Sequence, residues 1–462
     1  VQVAGNTVIN SANSYSGGTV LSGGTITVQN DAALGTSGTI SFEGGTLAYS
    51  QALTADLSSR FSTADNQAYA IEVSAAAPIT LANALTSTGG TLTKTGNGTL
   101  VLSGANTYSG GTTVSAGGLQ VTTSSLPGDA SVAAGAQLDF NQSTVGSYAG
   151  VISGQGQLRK LGSGTVTLSG TNTYTGGTTI FEGTLVGGVA NIPGDISLDG
   201  NAVNAATLEF DQATEATYSG VISTNTTPNT GSVVKSGVGN LILSGANTYT
   251  QPTSVAAGRL SVNGSLGTSA VTVQSGGELG GIGSLAGTVT VANGGRLAPG
   301  NSIGVLTEGA TSFASGATFE YEVDSTDLNS LDSAADLLVV NGNLDIAAGS
   351  LLELTDLAAQ VQPFVEDTTV FAMINYTGTW DGGLFTLGGQ SLANGSRFAV
   401  GSQLWEIAYD YVVGGSNIQP LNFTSSQDTG GSYVTVTAVP EPATLVFLAA
   451  AAGLAALTRH RW

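Results

Sequence analysis

The sequence predicts an all-β protein: a right-handed parallel β-helix (a solenoid), closed by a C-terminal cap and followed by a single terminal hydrophobic α-helix. Three observations lead to this prediction. One long segment occurs three times, at 94–113, 160–179 and 235–254. A shorter step recurs within it, marked by the Gly-Gly pairs at 89–90 and 110–111. Short runs in which apolar and polar residues alternate, such as TLVLSG, are typical of half-buried strands.

A step of about 20 residues is too short for a pair of helices and fits one coil of a β-helix. The segments VTVQSGGEL (271–279) and VTVANGGRL (289–297) repeat one another after a step of this kind, which predicts that they stack directly. In that register, Glu278 and Arg296 would form an exposed pair of opposite charges on adjacent coils.

Glycine makes up 68 of the 462 residues and is expected at the corners between strands, where the main chain needs positive φ. The asparagine of the repeated Asn-Thr-Tyr is expected to tolerate a similar geometry. Its amide is also expected to form a ladder with the copies above and below.

The repeated segment carries the three lysines of the chain, Lys94, Lys160 and Lys235, each just before a corner that contains glycine. Because charged side chains usually face water, we expect them to be solvated or capping charges.

Tyrosines recur in the same segment as Tyr108, Tyr174 and Tyr249. They permit two interpretations: rings that cover the corner between coils, or a ladder of rings that contacts a glycan. The pattern favours the first interpretation.

Composition excludes several classes of chemistry. The chain has no cysteine and its single histidine is His460, so disulfides, thiolate metal sites and histidine-based triads are absent. A net charge of −21 argues against nucleic acid as a partner. The chain begins at Val1 within a repeat, and we therefore expect a processed or truncated product with no visible export signal.

Acidic residues concentrate between 308 and 338. They include Glu320, Glu322, Asp324, Asp327, Asp332 and Asp336. Three interpretations remain open: a solvated loop, which charge runs usually form, a structural Ca²⁺ site, or a catalytic pair, since Glu320 and Glu322 alternate on one strand face. No carboxylate motif lies beside Arg60, Arg159 or Arg397 that would predict a partner for them.

Three domains follow from these patterns: β-helix repeats at 1–310, final coils and a cap at 311–437, and a separate tail at 438–462. The less repetitive stretch 364–437 contains Trp380, Trp405 and Tyr409. Solenoids need an end cap, so these aromatic residues are expected in the core of the cap. The alternative is a small ligand-binding module built around them.

Several motifs resemble a known family. KTGNGTLVLSGANTYSGGTTV, which begins at Lys94, resembles the autotransporter-associated β-strand repeat, also called the passenger-associated transport repeat. GGRLAPGNSIGVLT (294–307) is similar to the segment that closes the repeat region of many such passengers, and SAADLLVVNGNLDIAAGSLLEL (333–354) is similar to the coils that follow it. The resemblance covers about residues 8–410. It implies a β-helical rod outside a Gram-negative cell. The resemblance does not define an activity, because such repeats are spacers found beneath many functions.

The tail VPEPATLVFLAAAAGLAALTRHRW resembles the PEP-CTERM sorting signal. Its motif is Val439, Pro440, Glu441 and Pro442, followed by an apolar helix at 443–457 and by Arg459 and Arg461. Arginines after an apolar helix stay cytoplasmic, which places the rest of the chain outside the inner membrane. The resemblance implies an exosortase-type membrane peptidase as partner. The alternatives are a buried C-terminal helix and a plain tail anchor.

The sequence therefore predicts a non-enzymatic exported protein, transiently anchored in the inner membrane and then sorted to the cell surface or the extracellular matrix. It would act as a structural and adhesive scaffold, with exopolysaccharide or other surface glycans as partners. The alternatives are a β-helical polysaccharide lyase or glycosidase, and a glycan-binding adhesin. No cofactor is expected, apart from the Ca²⁺ considered above.

Overall fold

The computed structural model describes residues 2–3, 5–50, 55–225, 230–324, 334–357, 370–401, 403–412 and 431–439. It divides into a first unit, Val1–Thr253, and a second unit, Ser254–Trp462. The described residues form short β-strands and one 3-10 helix, Ser58–Arg60. The all-β prediction is confirmed for this part of the chain.

The strands that begin before residue 253 are β1 (Gln2–Val3), β2 (Thr7–Ile9), β3 (Thr19–Leu21), β4 (Thr25–Val28), β5 (Ile40–Phe42), β6 (Thr46–Tyr49), β7 (Ala68–Val73), β8 (Ile79–Leu81), β9 (Thr91–Thr95), β10 (Thr99–Leu102), β11 (Thr112–Val114), β12 (Gly118–Val121), β13 (Ala130–Val132), β14 (Gln137–Asn141), β15 (Val145–Tyr148), β16 (Ile152–Gly154), β17 (Gln157–Leu161), β18 (Thr165–Leu168), β19 (Thr178–Ile180), β20 (Gly183–Gly187), β21 (Ile196–Leu198), β22 (Ala206–Asp211), β23 (Ala216–Tyr218), β24 (Ile222–Ser223), β25 (Ser232–Ser236) and β26 (Asn240–Leu243).

The strands from residue 253 onward are β27 (Thr253–Val255), β28 (Gly258–Val262), β29 (Ser265–Leu266), β30 (Val271–Val273), β31 (Gly277–Gly281), β32 (Ser284–Leu285), β33 (Val289–Val291), β34 (Arg296–Pro299), β35 (Val305–Glu308), β36 (Thr311–Phe313), β37 (Thr318–Val323), β38 (Leu337–Val340), β39 (Leu344–Ile346), β40 (Leu351–Asp356), β41 (Val370–Tyr376), β42 (Thr386–Leu387), β43 (Gln390–Ser391), β44 (Arg397–Val400), β45 (Gln403–Val412) and β46 (Ser432–Val439).

The first unit is a parallel β-solenoid. Two of its sheets have eight strands each, in the orders β24-β21-β19-β17-β14-β12-β10-β8 and β16-β13-β11-β9-β7-β6-β4-β2. Leu100, Leu119, Leu138 and Leu158 pair in turn on successive coils. All four are buried and form one column of the core. The spacing of these leucines along the chain confirms the predicted coil length.

The second unit continues the same principle in three further parallel series: β28-β31-β34-β37-β40, β30-β33-β36-β39 and β29-β32-β35-β38-β41. Val271 pairs with Val289, which confirms the predicted stacking of their two segments. The sheet that contains β41 ends in antiparallel pairs, in the order β41-β46-β45-β44, whereas β42 still pairs in parallel with β40. The cap remains a prediction.

Glycines occupy the corners that follow the lysines. Gly96, Gly162 and Gly237 have φ of +74°, +74° and +75°. A Cβ atom at Gly96 would lie 2.4 Å from the carbonyl oxygen of Val73, so this corner also needs a close approach between coils. Among the described residues outside glycine, only Asn66 and Asp410 have positive φ. The asparagines of Asn-Thr-Tyr therefore do not use this geometry, and that part of the prediction is wrong.

Candidate functional site

Lys94, Lys160 and Lys235 lie inside the solenoid, with at most 1% of each residue exposed. The solvated interpretation is therefore wrong. Lys94 takes a core position in β9, where Ile71 on one side and Val114 on the other are its partners in register. A lysine can occupy such a position because its aliphatic stem packs like a core side chain while its ammonium group reaches the corner.

Each ammonium group caps main-chain carbonyl groups, as the capping interpretation expected. Nζ of Lys94 donates to the oxygens of Thr95 (2.8 Å), Gly96 (2.8 Å) and Ala116 (3.1 Å). Three acceptors match the three donors of an ammonium group. Two of the carbonyls belong to the lysine's own corner, and the third belongs to the next coil. This lysine therefore ties one coil to the following one.

The second and third lysines repeat this arrangement. Nζ of Lys160 donates to Leu161 (2.9 Å), Gly162 (2.6 Å) and Glu182 (3.0 Å). Nζ of Lys235 donates to Ser236 (2.7 Å) and Gly237 (2.8 Å).

Burial also affects the charge of these lysines. Burial lowers the pKa of Lys94 to about 8, although the negative charge of Glu72 acts in the opposite direction. Burial also lowers the pKa of Lys160 to about 8, and there the charge of Glu182 opposes the shift. Burial lowers the pKa of Lys235 as well, opposed by Asp211. The carbonyl groups around each Nζ favour the charged ammonium form, which therefore persists at neutral pH.

Tyr108, Tyr174 and Tyr249 are buried beneath the corners. Their hydroxyl groups form hydrogen bonds with Thr112 (2.6 Å), Thr178 (2.7 Å) and Thr253 (2.7 Å). With at most 1% of each residue exposed, none of the three presents a ring face at the surface. The structure thus places them as interior rings, and they do not form a glycan-contacting ladder.

The asparagine of Asn-Thr-Tyr does not form the expected ladder with its own copies. Oδ1 of Asn172 accepts from the N–H of Ile152 (2.8 Å), and its Nδ2 donates to the carbonyl of Asn191 (2.6 Å). Asn106 contacts Leu85 and Ser125 in the same way. The copies lie several coils from one another, so the amide bonds to the main chain of the adjacent coils instead.

The predicted acidic patch is partly a charged ladder on the second unit. Glu278 and Arg296 pair in register, as predicted, but their ion pairs are made to other residues. Arg259 contacts Glu278, and Arg296 contacts both Glu320 and Glu353 (2.8 Å for Glu353). Opposite charges thus alternate along β28, β31, β34 and β37, and Glu353 on β40 shares Arg296 with Glu320.

Glu320 and Glu322 lie on the same outward face of β37, as the alternation predicted, and both are half-buried. Beside them, Asp336 is buried, and its carboxylate accepts the N–H groups of Gly304 (3.0 Å) and Glu322 (2.9 Å). Asp324 donates its own N–H to the carbonyl of Ala334. Asp327 and Asp332 lie outside the described residues.

Burial raises the pKa of Asp336 to about 8, although the two N–H groups oppose this rise. Burial also raises the pKa of Glu322, and the neighbouring charge of Glu320 adds to the effect. One protonated and one ionised carboxyl group are what a glycosidase needs.

The cavity beside these groups is small for that use. Its volume is about 190 Å³, and it is lined by Arg259, Pro299, Asn301, Glu320, Glu322 and Asp336 among others. Ligand pockets usually begin near about 300 Å³. The guanidinium of Arg259 already donates to the carbonyl of Gly300 (2.6 Å) and to Glu278. The arrangement is therefore a polar cluster that holds the 300–304 turn. In the described part of the chain, no group of three or more His, Cys, Asp or Glu side chains could hold a metal ion.

Glu308 is a buried acid that the sequence reasoning missed. It is fully buried in β35, and burial raises its pKa to about 8, while a hydrogen bond from Thr311 (2.7 Å) opposes the rise. Its second oxygen has no hydrogen-bond partner among the residues that the structure describes. The alternation of β35 is the sequence signal that could have revealed its burial, because Glu308 shares the inward face with Leu306.

The arginines without a predicted partner all have one. Arg60 donates to the carbonyl groups of Leu34, Gly35, Ser37 and Gly38. Arg397 pairs with Glu406 at 2.8 Å across an antiparallel pair of strands. Arg159 lies 3.4 Å from Asp139 on the adjacent coil. The partners of Arg60 and Arg159 are 20 or more residues away in the chain, and that of Arg397 lies on the next strand, so the folded structure is needed to identify each pair.

The aromatic residues of the final region pack on one another. Trp380 and Tyr409 are stacked, with ring centroids 5.1 Å apart, and Trp405 is buried against Phe371. The hydroxyl group of Tyr409 accepts the N–H of Phe385 (3.0 Å). These contacts use the rings inside the protein, as the core interpretation expected, and leave fewer faces for a ligand.

The predicted sorting motif begins at the end of the described chain. Val439 is buried at the end of β46. Pro440, Glu441, Pro442, the apolar helix at 443–457, Arg459 and Arg461 lie outside the described residues. Among the residues that the structure does describe, no helix is both long enough and apolar enough to cross a membrane.

Comparison with known proteins agrees with this architecture. Four segments match the Passenger-associated-transport-repeat family: residues 4–28, 92–121, 158–186 and 233–262. The last three each contain one capped lysine and its corner. The protein therefore carries passenger-type repeats on a parallel β-solenoid.

One curated relative is named as an adhesin. The chain is similar to the adhesin BmaC autotransporter of Brucella suis biovar 1 (strain 1330), with 32% identity over 325 residues. The match covers 55% of this chain and 9% of that protein.

Proposed function

We propose that this protein is an exported surface scaffold with an adhesive role and without enzymatic activity. The observation that carries the proposal is the lysine-capped repeat, which coincides with the passenger-type segments. Similarity to an autotransporter adhesin supports the adhesive role and the location at the cell surface. The side chains that resembled catalytic groups hold a turn beside a cavity of about 190 Å³, which supports a role other than catalysis.

The same proposal extends to sorting by the tail. The Val-Pro-Glu-Pro motif, the apolar stretch and the terminal arginines occur in the order of a PEP-CTERM signal. An exosortase-type membrane peptidase would cut near Pro440–Pro442 after transient insertion in the inner membrane. Exopolysaccharide or other surface glycans are the partners that a scaffold released in this way would meet.

One experiment tests location and sorting together. A tag is placed in an exposed turn of the solenoid and another after Trp462, and cells with and without the peptidase are fractionated. We expect the solenoid tag at the surface or in the medium, the C-terminal tag absent from that material, and both results to depend on the peptidase. Retention of both tags in the inner membrane even in the strain that has the peptidase would contradict surface sorting.

The adhesive role has its own measurement. Cells that display the full chain should bind to glycan-coated surfaces better than cells that lack it. Equal binding by the two strains, with the solenoid demonstrably displayed, would reduce the proposal to a structural scaffold.

A further inference from the structure

The second full repeat departs from the other two at one corner. When the repeats are aligned on their lysines, Phe181 stands where the first and third repeats have Ser115 and Ala256. The next residue, Glu182, replaces alanine in both other copies. Arg159, which precedes Lys160, likewise stands where the other repeats have threonine and valine. Three larger, chemically distinct side chains therefore occur together in one copy.

A longer turn belongs to the same departure. The stretch from Pro-Gly-Asp to the following phenylalanine spans 127–140 in the first repeat and 193–210 in the second, so it is longer in the second. The additional residues form a turn in which Oδ1 of Asn201 accepts the N–H groups of Val203 (2.9 Å) and Asn204 (3.0 Å). At its tip, Val203 is 88% exposed.

The structure brings these departures into one cleft. Its volume is about 420 Å³, and its lining includes Asn141, Arg159, Phe181, Glu182, Asp199 and Asn201. Register explains the convergence, because Arg159 stacks between Asp139 and Thr179 on adjacent coils, and Thr179 is close to Phe181 in the chain. A cleft of this size falls within the usual range for ligands, about 300–1,000 Å³.

The groups in the cleft are those that recognise hydroxyl-rich ligands. The guanidinium of Arg159 lies 5.1 Å from the centre of the Phe181 ring, and Phe181 is half-buried. Arg159 also contacts Gln137, which fixes its orientation. Glu182 and Asp199 supply carboxylate acceptors, and the asparagine amides supply both donors and acceptors.

The charge balance favours a neutral ligand. One cation, Arg159, faces the carboxylates of Glu182 and Asp199, and it already has Asp139 beside it at 3.4 Å. An acidic ligand would meet net negative charge in the cleft and on a chain of net charge −21.

We propose that this corner of the second repeat is a binding site for a neutral glycan. Phe181 is the apolar platform for a sugar ring, while Arg159, the asparagines and the two carboxylates bind its hydroxyl groups. A rigid repeat scaffold that carries side chains and a longer turn in one copy is a common way to build a binding site. The proposal rests on the adhesive function above and assigns it a place and a ligand class.

The test exploits the first repeat as a template that is already compatible with the fold. The triple variant Arg159→Thr, Phe181→Ser, Glu182→Ala restores the first repeat's residues. Thr93→Val with Ser115→Ala is the matched control, since it exchanges equivalent positions in the first repeat for those of the third. Binding of the purified full chain to hexasaccharides of mannose, galactose, glucose and N-acetylglucosamine is measured by saturation-transfer difference NMR, with hexagalacturonate as the acidic comparison.

We expect at least one neutral hexasaccharide to bind to the wild type and the control alike, and the triple variant to bind about tenfold more weakly or not at all. Binding of none of the neutral probes, equal binding by the triple variant, or preference for hexagalacturonate would overturn the proposal. If the triple variant does not fold, as judged by its thermal unfolding, Phe181→Ser alone decides by the same measurement.

Cell adhesion separates this proposal from the broader one. If cells that display the triple variant adhere as well as wild-type cells, the proposed glycan site in the cleft is wrong, and the adhesive scaffold proposal still stands. Failure to find the wild-type chain at the surface would instead overturn the proposed function and leave glycan binding by the purified protein to stand.

Discussion

The first unit buries three lysines, whereas the second unit has no lysine and buries the carboxyl groups of Glu308 and Asp336. In the first unit, main-chain carbonyl groups surround each buried cation. In the second unit, burial raises the pKa of both carboxyl groups to about 8, so these groups are largely protonated at neutral pH.

The two units accommodate buried ionisable groups in different ways. A solenoid corner leaves carbonyl groups without partners, and a buried ammonium group satisfies several of them at once. A buried carboxyl group meets the same low-dielectric interior by taking up a proton. On the outer face of the second unit, opposite charges contact one another in the ladder that runs from Arg259 to Glu353.

The largest expected effect comes from removing a capping charge. Lys160→Met keeps most of the aliphatic stem but leaves the carbonyl groups of Leu161, Gly162 and Glu182 without their donor. We expect a loss of about 2–4 kcal/mol in the free energy of unfolding, because buried acceptors would lose their partners. Urea unfolding followed by circular dichroism measures it.

Thr165→Val is a suitable control for this variant, since its side chain is on the partly exposed face of β18 in the same repeat. A loss no greater than that of the control would show that the lysine cap adds little to stability.

The buried lysines of the first unit and the buried carboxyl groups of the second should change stability with pH in opposite directions, each in its own pH range. Glu308 and Asp336 have folded-state pKa values of about 8, above their ordinary values of 4.5 and 3.8. Between these limits the folded state binds more protons than the unfolded state, so the second unit loses stability as pH rises from about 4.5 to 8. Lys94 and Lys160 have folded-state pKa values of about 8, below 10.5. Their contribution therefore makes the first unit more stable as pH rises from about 8 towards 10.5.

Hydrogen exchange of core amides, read separately for each unit by mass spectrometry, measures both trends. Glu308→Gln should reduce the loss of stability that the second unit shows between pH 5 and 8, and it should leave the stability of the first unit unchanged. An unaltered pH profile in Glu308→Gln would mean that this carboxyl group does not carry its proton as described.

The sequence was sufficient to predict the coil, because its period appears directly in the repeats. Leu100, Leu119 and Leu138 could be placed in one column from alternation and spacing alone. The lysines could not be placed by the same reasoning. Because charged side chains usually face water, the sequence predicted the lysines at the surface. One of the carbonyl groups that hold Lys94 inside, that of Ala116, belongs to the next coil and is not evident from the local sequence.

The candidate sites show the same limit. Arg159, Phe181 and the longer turn at Asn201 are each visible in the sequence as a departure from the repeat. Their convergence in one cleft depends on the exact stacking of three coils. Likewise, the solvated-loop interpretation of the acidic stretch predicts Asp336 at the surface, and only its main-chain partners reveal a structural role.

The smallest effect is expected on the outer ladder of the second unit, and salt should distinguish it from the lysine cap. Arg296 has a side chain 36% exposed and pairs with Glu320 and Glu353, so Arg296→Met should cost less than about 1 kcal/mol. At about 1 M NaCl the screening length falls to about 3 Å, and most of that cost should disappear. The cost of Lys160→Met should persist, because its partners are buried carbonyl groups and not exposed ions. Urea midpoints at low and high salt for the two variants measure this difference. Equal salt sensitivity would mean that the buried lysine also acts mainly through long-range charge, and the contrast between the two units would then fail.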